Sequence, residues 1–222
     1  MANRLKTSAV RCILFDLDGT LYDSPQYSQK FETEIASFVS EKLSIDPESA
    51  RTLLNERRRE HLTLTRALKS LGIDRDIFFE SMAARIDPAE HISEDLKVQE
   101  VISTLRAEGF KVGLVSNSGR PLVEKILEAL QLDSSSFDTI ITSSEVQPKP
   151  SREPFLLAMK SMSCRSENAI YVGDRDEAEL RPAKEIGIRT ILLDRSGGTS
   201  PCWADAVVRN LSEIPKVANE IL

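Results

Sequence analysis

The chain is poor in the residues that build metal staples and disulfide frameworks: its 222 residues include three cysteines and two histidines. Cys12, Cys164 and Cys202 are odd in number and scattered, which excludes a disulfide scaffold and a cysteine zinc site. His61 and His91 have no partner spacing for metal or triad chemistry and read as structural or surface residues. Positive charge is not in excess either. With Lys+Arg 29 against Asp+Glu 35 the formal charge is -6, which leaves no electrostatic footprint for a nucleic-acid backbone. No apolar run approaches the length of a membrane span, and Met1 to Val10 is too short and too polar for a secretory signal. Together these absences predict a soluble, cytoplasmic protein with neither nucleic acid nor membrane as partner.

The most telling feature that is present is Asp16-Leu17-Asp18-Gly19-Thr20, which follows directly on the apolar run Cys12 to Phe15. A short apolar run closed by a glycine reads as a strand covered on both faces. Two acids where such a strand leaves a core need a cation or a phosphoryl group, because buried carboxylates are costly without one. Further runs of strand length are Val112 to Val115, Thr139 to Ile141, Ala169 to Val172 and Thr190 to Leu193. Helical stripes alternate with them: Val98, Val101, Ile102 and Leu105, then Leu122, Val123, Ile126, Leu127 and Leu130. Asp176 to Ile186 predicts one more helix, closed by Gly187 in the left-handed conformation. This alternation predicts an α/β fold, a Rossmann-like doubly wound parallel sheet.

Segment 23–93 is far longer than a crossover between two parallel strands requires. It carries its own amphipathic pattern: Phe31, Ile35, Phe38, Val39 and Leu43 form one stripe. Leu62, Leu64, Leu68, Leu71, Ile77, Phe78 and Met82 suggest further helices. The expected organisation is therefore an α/β core from 1–22 and 94–222 with a small helical domain inserted at 23–93. Asp23-Ser24-Pro25 and Asp87 to Ser93 are suited to hinges.

In an open parallel sheet, ligands gather at the carboxyl ends of the strands, near the point where strand order reverses. The polar residues fall there repeatedly: Asp16 and Asp18 after strand one, Ser116 and Asn117 after strand two, Lys149 between two prolines after strand three, Gly173 and Asp174 after strand four. This ordered set resembles the haloacid dehalogenase superfamily, in particular its phosphatases with a helical C1-type cap inserted after the first motif. The resemblance implies that Asp16 is a nucleophile forming an aspartyl-phosphate, and that Asp18 protonates the leaving oxygen and then activates water. It implies Mg2+ held by Asp16, by the backbone carbonyl of Asp18 and by Asp174. Ser116, Asn117 and Lys149 would bind the phosphate, and Lys149 would also act in catalysis by neutralising nucleophile and phosphate together. Arg175 stands where the family often has a small residue. The later acid that supports the metal shell corresponds best to Glu179, with Asp176 as a substitute or as a helix N-cap.

The activity this implies is a Mg-dependent phosphatase acting on a small phosphorylated metabolite of the nucleotide, phosphoglycolate or sugar-phosphate class, as a monomer or homodimer. Asp18 favours phosphoryl chemistry over dehalogenation, which has no oxygen leaving group to protonate. A phosphomutase on the same core and a non-catalytic binding or regulatory protein are the alternatives. Thr63 to Leu68, continued by Gly72-Ile73-Asp74, resembles the caps of pyrimidine 5'-nucleotidase-like members. Glu56 to Glu60 reads as a solvated helix face, with Arg58 and Arg66 as candidate readers of the substrate's far end. Tyr22 and Tyr27 flank the first hinge, where they face a pocket or dock the helical segment.

Overall fold

The computed structural model describes residues 10–93, 95–198 and 201–222. The expectations for 1–9 and for a boundary at Glu94 lie outside the described residues. Six strands form one parallel sheet: β1 (Arg11–Phe15), β2 (Phe110–Val115), β3 (Thr139–Ile141), β4 (Ala169–Gly173), β5 (Arg189–Leu193) and β6 (Ala206–Val208). Their order is β3-β2-β1-β4-β5-β6, so β1 is central, with Ile13 opposite both Val112 and Ile170. Side chains alternate along a strand, and the two faces of β1 feed separate layers. Ile13 and Phe15 pack with α5 (Leu96–Ala107), α6 (Arg120–Ala129) and α9 (Ile214–Ile221), while Cys12 and Leu14 pack with α7 (Glu153–Met162) and α8 (Arg181–Lys184). Burial on both faces explains why these strands read as unbroken apolar runs.

Two expectations about the core need correction. Strand β6 has no counterpart among the runs read from the sequence: it is three residues at the sheet edge, with Val207 pointing outward, too short to show a pattern. Asp176 to Ile186 is not one helix. Asp176–Leu180 forms a π-helical turn, with Arg181 N bonded to Asp176 O, before the short α8. Pro182 lacks the N–H that would bond the carbonyl of Ala178, so the α pattern cannot run through. Gly187 does close the segment in the left-handed region, at φ 84°.

Between β1 and α5 lie four helices: α1 (Pro25–Leu43), α2 (Pro47–His61), α3 (Leu64–Ser70) and α4 (Arg75–Arg85). Ser24, Asp46, Thr63 and Asp74 cap their first turns through side-chain oxygens, which fixes where each begins. Ile35, Phe38, Val39, Leu68, Phe78 and Met82 are buried together, as the stripes predict. Leu62 and Ile77 depart from them, 62% and 52% exposed. Leu62 ends α2 with φ 66°, which breaks the helical phase, and Ile77 lies on the outer side of α4. The chain's two passages between helices and core are tied together, because Ser24 Oγ donates to His91 O at 2.7 Å. Helix α4 rests on α6, where a Cβ on Gly119 would lie 2.5 Å from Cβ of Phe79. Lys125 Nζ donates to Ala83 O at 2.6 Å across the same contact. Among the described residues no helix is long and apolar enough to cross a membrane.

Candidate active site

The carboxyl ends of β1, β2 and β4 converge on one rim. Asp16 N donates to Val172 O at 2.9 Å and Ser116 N to Ile141 O at 2.9 Å, so the sheet's own ladder extends to the first residue after each strand. Lys149 arrives from the loop after β3 with no solvent contact at all. Its ammonium bonds Asp16 Oδ1, and donates to Val115 O at 3.0 Å, Tyr171 Oη at 2.7 Å and Glu179 Oε1 at 3.1 Å. Asn117 clamps the backbone of Lys149 from both sides: its amide donates to Lys149 O at 2.8 Å and its carbonyl accepts from Lys149 N at 2.7 Å. The Asn117 side chain is thus committed to holding the lysine loop, which leaves its backbone N–H as the group to offer an anion.

Asp18 turns away from this ammonium and toward hydroxyls. Tyr22 donates to its Oδ1, while Ser118 Oγ at 3.1 Å and Ser116 Oγ at 3.5 Å face its Oδ2. Gly19 follows at φ 82°, and its missing side chain makes room for Asp174, whose Oδ2 would otherwise lie 2.3 Å from the Cβ. The structure therefore brings Asp16, Asp18, Ser116, Lys149, Asp174 and the auxiliary candidate Glu179 together, with Tyr22 beside them, adds Tyr171 and Ser118, and leaves Asp176 out. Asp176 instead accepts from Cys202 N at 2.9 Å and Trp203 N at 3.1 Å. Ser118 was legible in principle, two residues beyond Ser116 after the same buried strand. Tyr171 carried no signal beyond its apolar body, whereas Tyr22 stood out only by its place at the first hinge.

Oxygens of Asp16, Asp174 and Glu179 all lie within 4.8 Å of one another. Asp174 Oδ1 and Glu179 Oε2 are buried with no hydrogen-bond partner. Buried carboxylate oxygens without donors are costly; here they face the geometry of a cation site. Three carboxylates against one ammonium leave a formal charge of about -2, which suits a divalent ion with oxygen ligands. Burial, then the neighbouring Asp16, push the Asp174 carboxyl up to about 6, against the pull of Arg175 and Lys149. Burial and Asp16 likewise raise Glu179 to about 8. Asp18 is raised by burial and then by Asp16, with its bonds from Tyr22 and Ser118 opposing. Burial pulls Lys149 down, yet Asp16 and Glu179 outweigh it and hold the ammonium above its ordinary value.

A cavity of about 590 Å³ opens over this rim. Its near wall is Asp18, Asn117, Ser118 and Asp174; its far wall is supplied by α1, α2 and α3, including Tyr27, Phe31, Arg58 and Leu64. Arg58 is held by Glu32 at 2.8 and 2.7 Å, and Arg175 reaches across to Leu62 O at 3.3 Å. Arg66 lines a separate recess of about 250 Å³ with Lys69 and Arg75, outside the main cavity.

Residues 13–193 match the haloacid dehalogenase-like hydrolase family, and the chain belongs to it. The chain is similar to a glyceraldehyde 3-phosphate phosphatase of Methanocaldococcus jannaschii, 28% identical over 201 residues, which cover 83% of this chain and 85% of that protein. It is also similar to a phosphoglycolate phosphatase of Shigella dysenteriae, 27% identical over 213 residues, covering 85% and 82% of the two chains. The crystal structure of a HAD phosphatase from Thermococcus onnurineus shares the fold, with a TM-score of 0.72 at 24% identity and coverage of 94% and 97%.

Proposed function

We propose that this chain is a magnesium-dependent phosphatase that hydrolyses a small phosphomonoester through an aspartyl-phosphate on Asp16, with residues 23–93 as a helical cap over the leaving group. The observation that carries this reading is the set of Asp16 and Glu179, buried on Lys149, with Asp174 beside them and orphaned carboxylate oxygens at the mouth of a cavity. Bound magnesium would supply the positive charge that lets a phosphate dianion approach these acids. Each unit-charge repulsion at ~4 Å costs roughly 4 kcal/mol at an effective dielectric of about 20, so Lys149 alone does not balance the site.

The chain's own residues divide the work. Ser116 Oγ, steadied by the N–H of Ser118, and the backbone N–H of Asn117 hold phosphoryl oxygens, and Lys149 neutralises Asp16 and the phosphate from below. A carboxylate oxygen of Asp16 attacks phosphorus as the ester P–O bond breaks. The electron pair goes to the leaving oxygen, which takes the proton of Asp18, a carboxyl whose burial favours its protonated form. Asp18 then accepts a proton from water, whose oxygen forms a bond to phosphorus as the P–O bond to Asp16 breaks. The named relatives support a small phosphorylated metabolite as substrate. The free cysteines fit a reducing cytoplasm.

The test is p-nitrophenyl phosphate hydrolysis with magnesium, after exhaustive chelation, and in Asp16→Asn, with mass spectrometry of the quenched wild-type protein. Turnover that vanishes in chelator and in the variant, with a phosphoryl adduct on Asp16, is expected. Turnover that survives either treatment would refute the mechanism.

A further inference from the structure

We infer that Tyr22 is a positioning residue for Asp18: its hydroxyl fixes which carboxyl oxygen of the acid faces the leaving group. The inference rests on the phosphatase reading above and adds a determinant of which esters the site can cleave. The two oxygens of Asp18 have different neighbours. Oδ1 accepts from the Tyr22 hydroxyl, whereas Oδ2 points to Ser118 Oγ at 3.1 Å and Ser116 Oγ at 3.5 Å. The serines stand at the end of β2 where the phosphoryl oxygens would bind, so Oδ2 is the oxygen on the phosphoryl side, and Oδ1 is the one held by the tyrosine. The last torsion of an aspartate is broad and roughly two-fold. Removing the donor on Oδ1 frees the carboxyl plane to rotate and its proton to sit on the wrong oxygen.

The donor is itself held. Asp18 and Tyr22 pair through their backbones in an isolated bridge across the turn after β1. The Tyr22 ring is 8% exposed and meets Tyr27 edge-on, centroids 5.8 Å apart at 79°. Tyr27 stacks on Phe31 at 6.0 Å and 14°, and Phe31 meets Phe78 at 6.4 Å and 70°. This aromatic ladder runs from the acid into the centre of the four-helix segment. It couples the seating of those helices to the orientation of one carboxyl group. The Tyr27 hydroxyl, one rung away, is buried without a partner, so Tyr22 alone of the two delivers its donor to Asp18.

The experiment is Tyr22→Phe, which keeps the ring and removes the hydroxyl, with kcat/KM measured on p-nitrophenyl phosphate and on glycerol phosphate. The quantity kcat/KM reports transfer to Asp16 and is blind to the later water step. A nitrophenolate leaves without a proton; an alkoxide does not. A loss of about ten-fold or more on the alkyl ester, with the aryl ester within about two-fold, is expected, and across a series of phenyl phosphates the loss should grow with leaving-group basicity. Equal losses on both esters, particularly with a lowered thermal midpoint, would mark a merely structural ring and overturn the inference, as would no loss on either. If the wild-type protein hydrolyses neither ester, the phosphatase reading falls first and takes this one with it.

Discussion

The rim of the sheet and the helical wall facing it across the cavity are built from opposite materials. At the rim, Asp16, Glu179 and Lys149 are buried together beside the partly exposed Asp174, at the ends of strands buried on both faces. The wall mixes aromatic and aliphatic side chains with the hydroxyls of Ser28, Thr63 and Thr65, and Arg58 there is compensated by Glu32. Charge concentrated on rigid elements is suited to a reaction that recurs unchanged. A mixed wall on helices joined by short turns is suited to selecting what leaves. On the proposed mechanism the difference assigns chemistry to the sheet and selectivity to the helices, with Tyr22 and Arg175 both reaching between them.

The sharpest way to break that division is Lys149→Met, which keeps length and removes the charge. Breaking a buried ion pair costs about 3–5 kcal/mol, and at this chain length each kcal/mol moves the midpoint by roughly 2–4 °C. The metal-free protein should melt about 10 °C lower and turnover should fall by about a thousand-fold or more, read by calorimetry and steady-state kinetics. An unchanged midpoint would mean that the rim is not held by charge.

A smaller effect follows from pH. Asp174 and Glu179 bind protons more tightly folded than unfolded, so the folded state gains from protonating them. That gain is complete below the ordinary carboxyl range and is lost as pH rises through about 6 for Asp174 and about 8 for Glu179. Chelated protein should therefore lose thermal stability between about pH 5 and pH 8, and magnesium should restore it most at the upper end. Asp174→Asn should flatten the decline and abolish the magnesium-induced rise; a decline that persists undiminished would place its origin elsewhere.

The smallest effects belong to the wall. Arg58→Ala should raise KM several-fold for the preferred substrate and leave p-nitrophenyl phosphate nearly untouched. Arg66→Ala, in its separate recess, should change neither. If Arg66→Ala alone altered selectivity, the assignment of the main cavity to the leaving group would be wrong.

Much of the core was legible because a two-sided sheet writes itself as apolar runs: β1 to β5 stand within two residues of where those runs fall. The third strand coincides with its run at both ends. The edge strand β6 escaped because three residues with one face in water have no pattern to detect. Among the site residues, Asp16, Asp18, Asp174 and Lys149 announced themselves by following strands in order. Glu179 read as the better candidate for the auxiliary acid and Asp176 as its substitute, both within a turn or so of Asp174. The π-helical turn decides between them, carrying Glu179 inward to Lys149 while Asp176 is spent on the backbone of Cys202 and Trp203.

By itself, the order of residues determined a parallel sheet, an added helical segment and a set of acids at strand ends, because periodicity and strand termini are local properties of the chain. Only the tertiary structure decided how those acids divide their roles. Asp16 meets an ammonium and Asp18 meets three hydroxyls although they are two residues apart, because consecutive odd positions after β1 face different neighbours brought in from β2, the lysine loop and the first helix passage. Long-range packing sets those neighbours, and with them the division of labour proposed for the two acids.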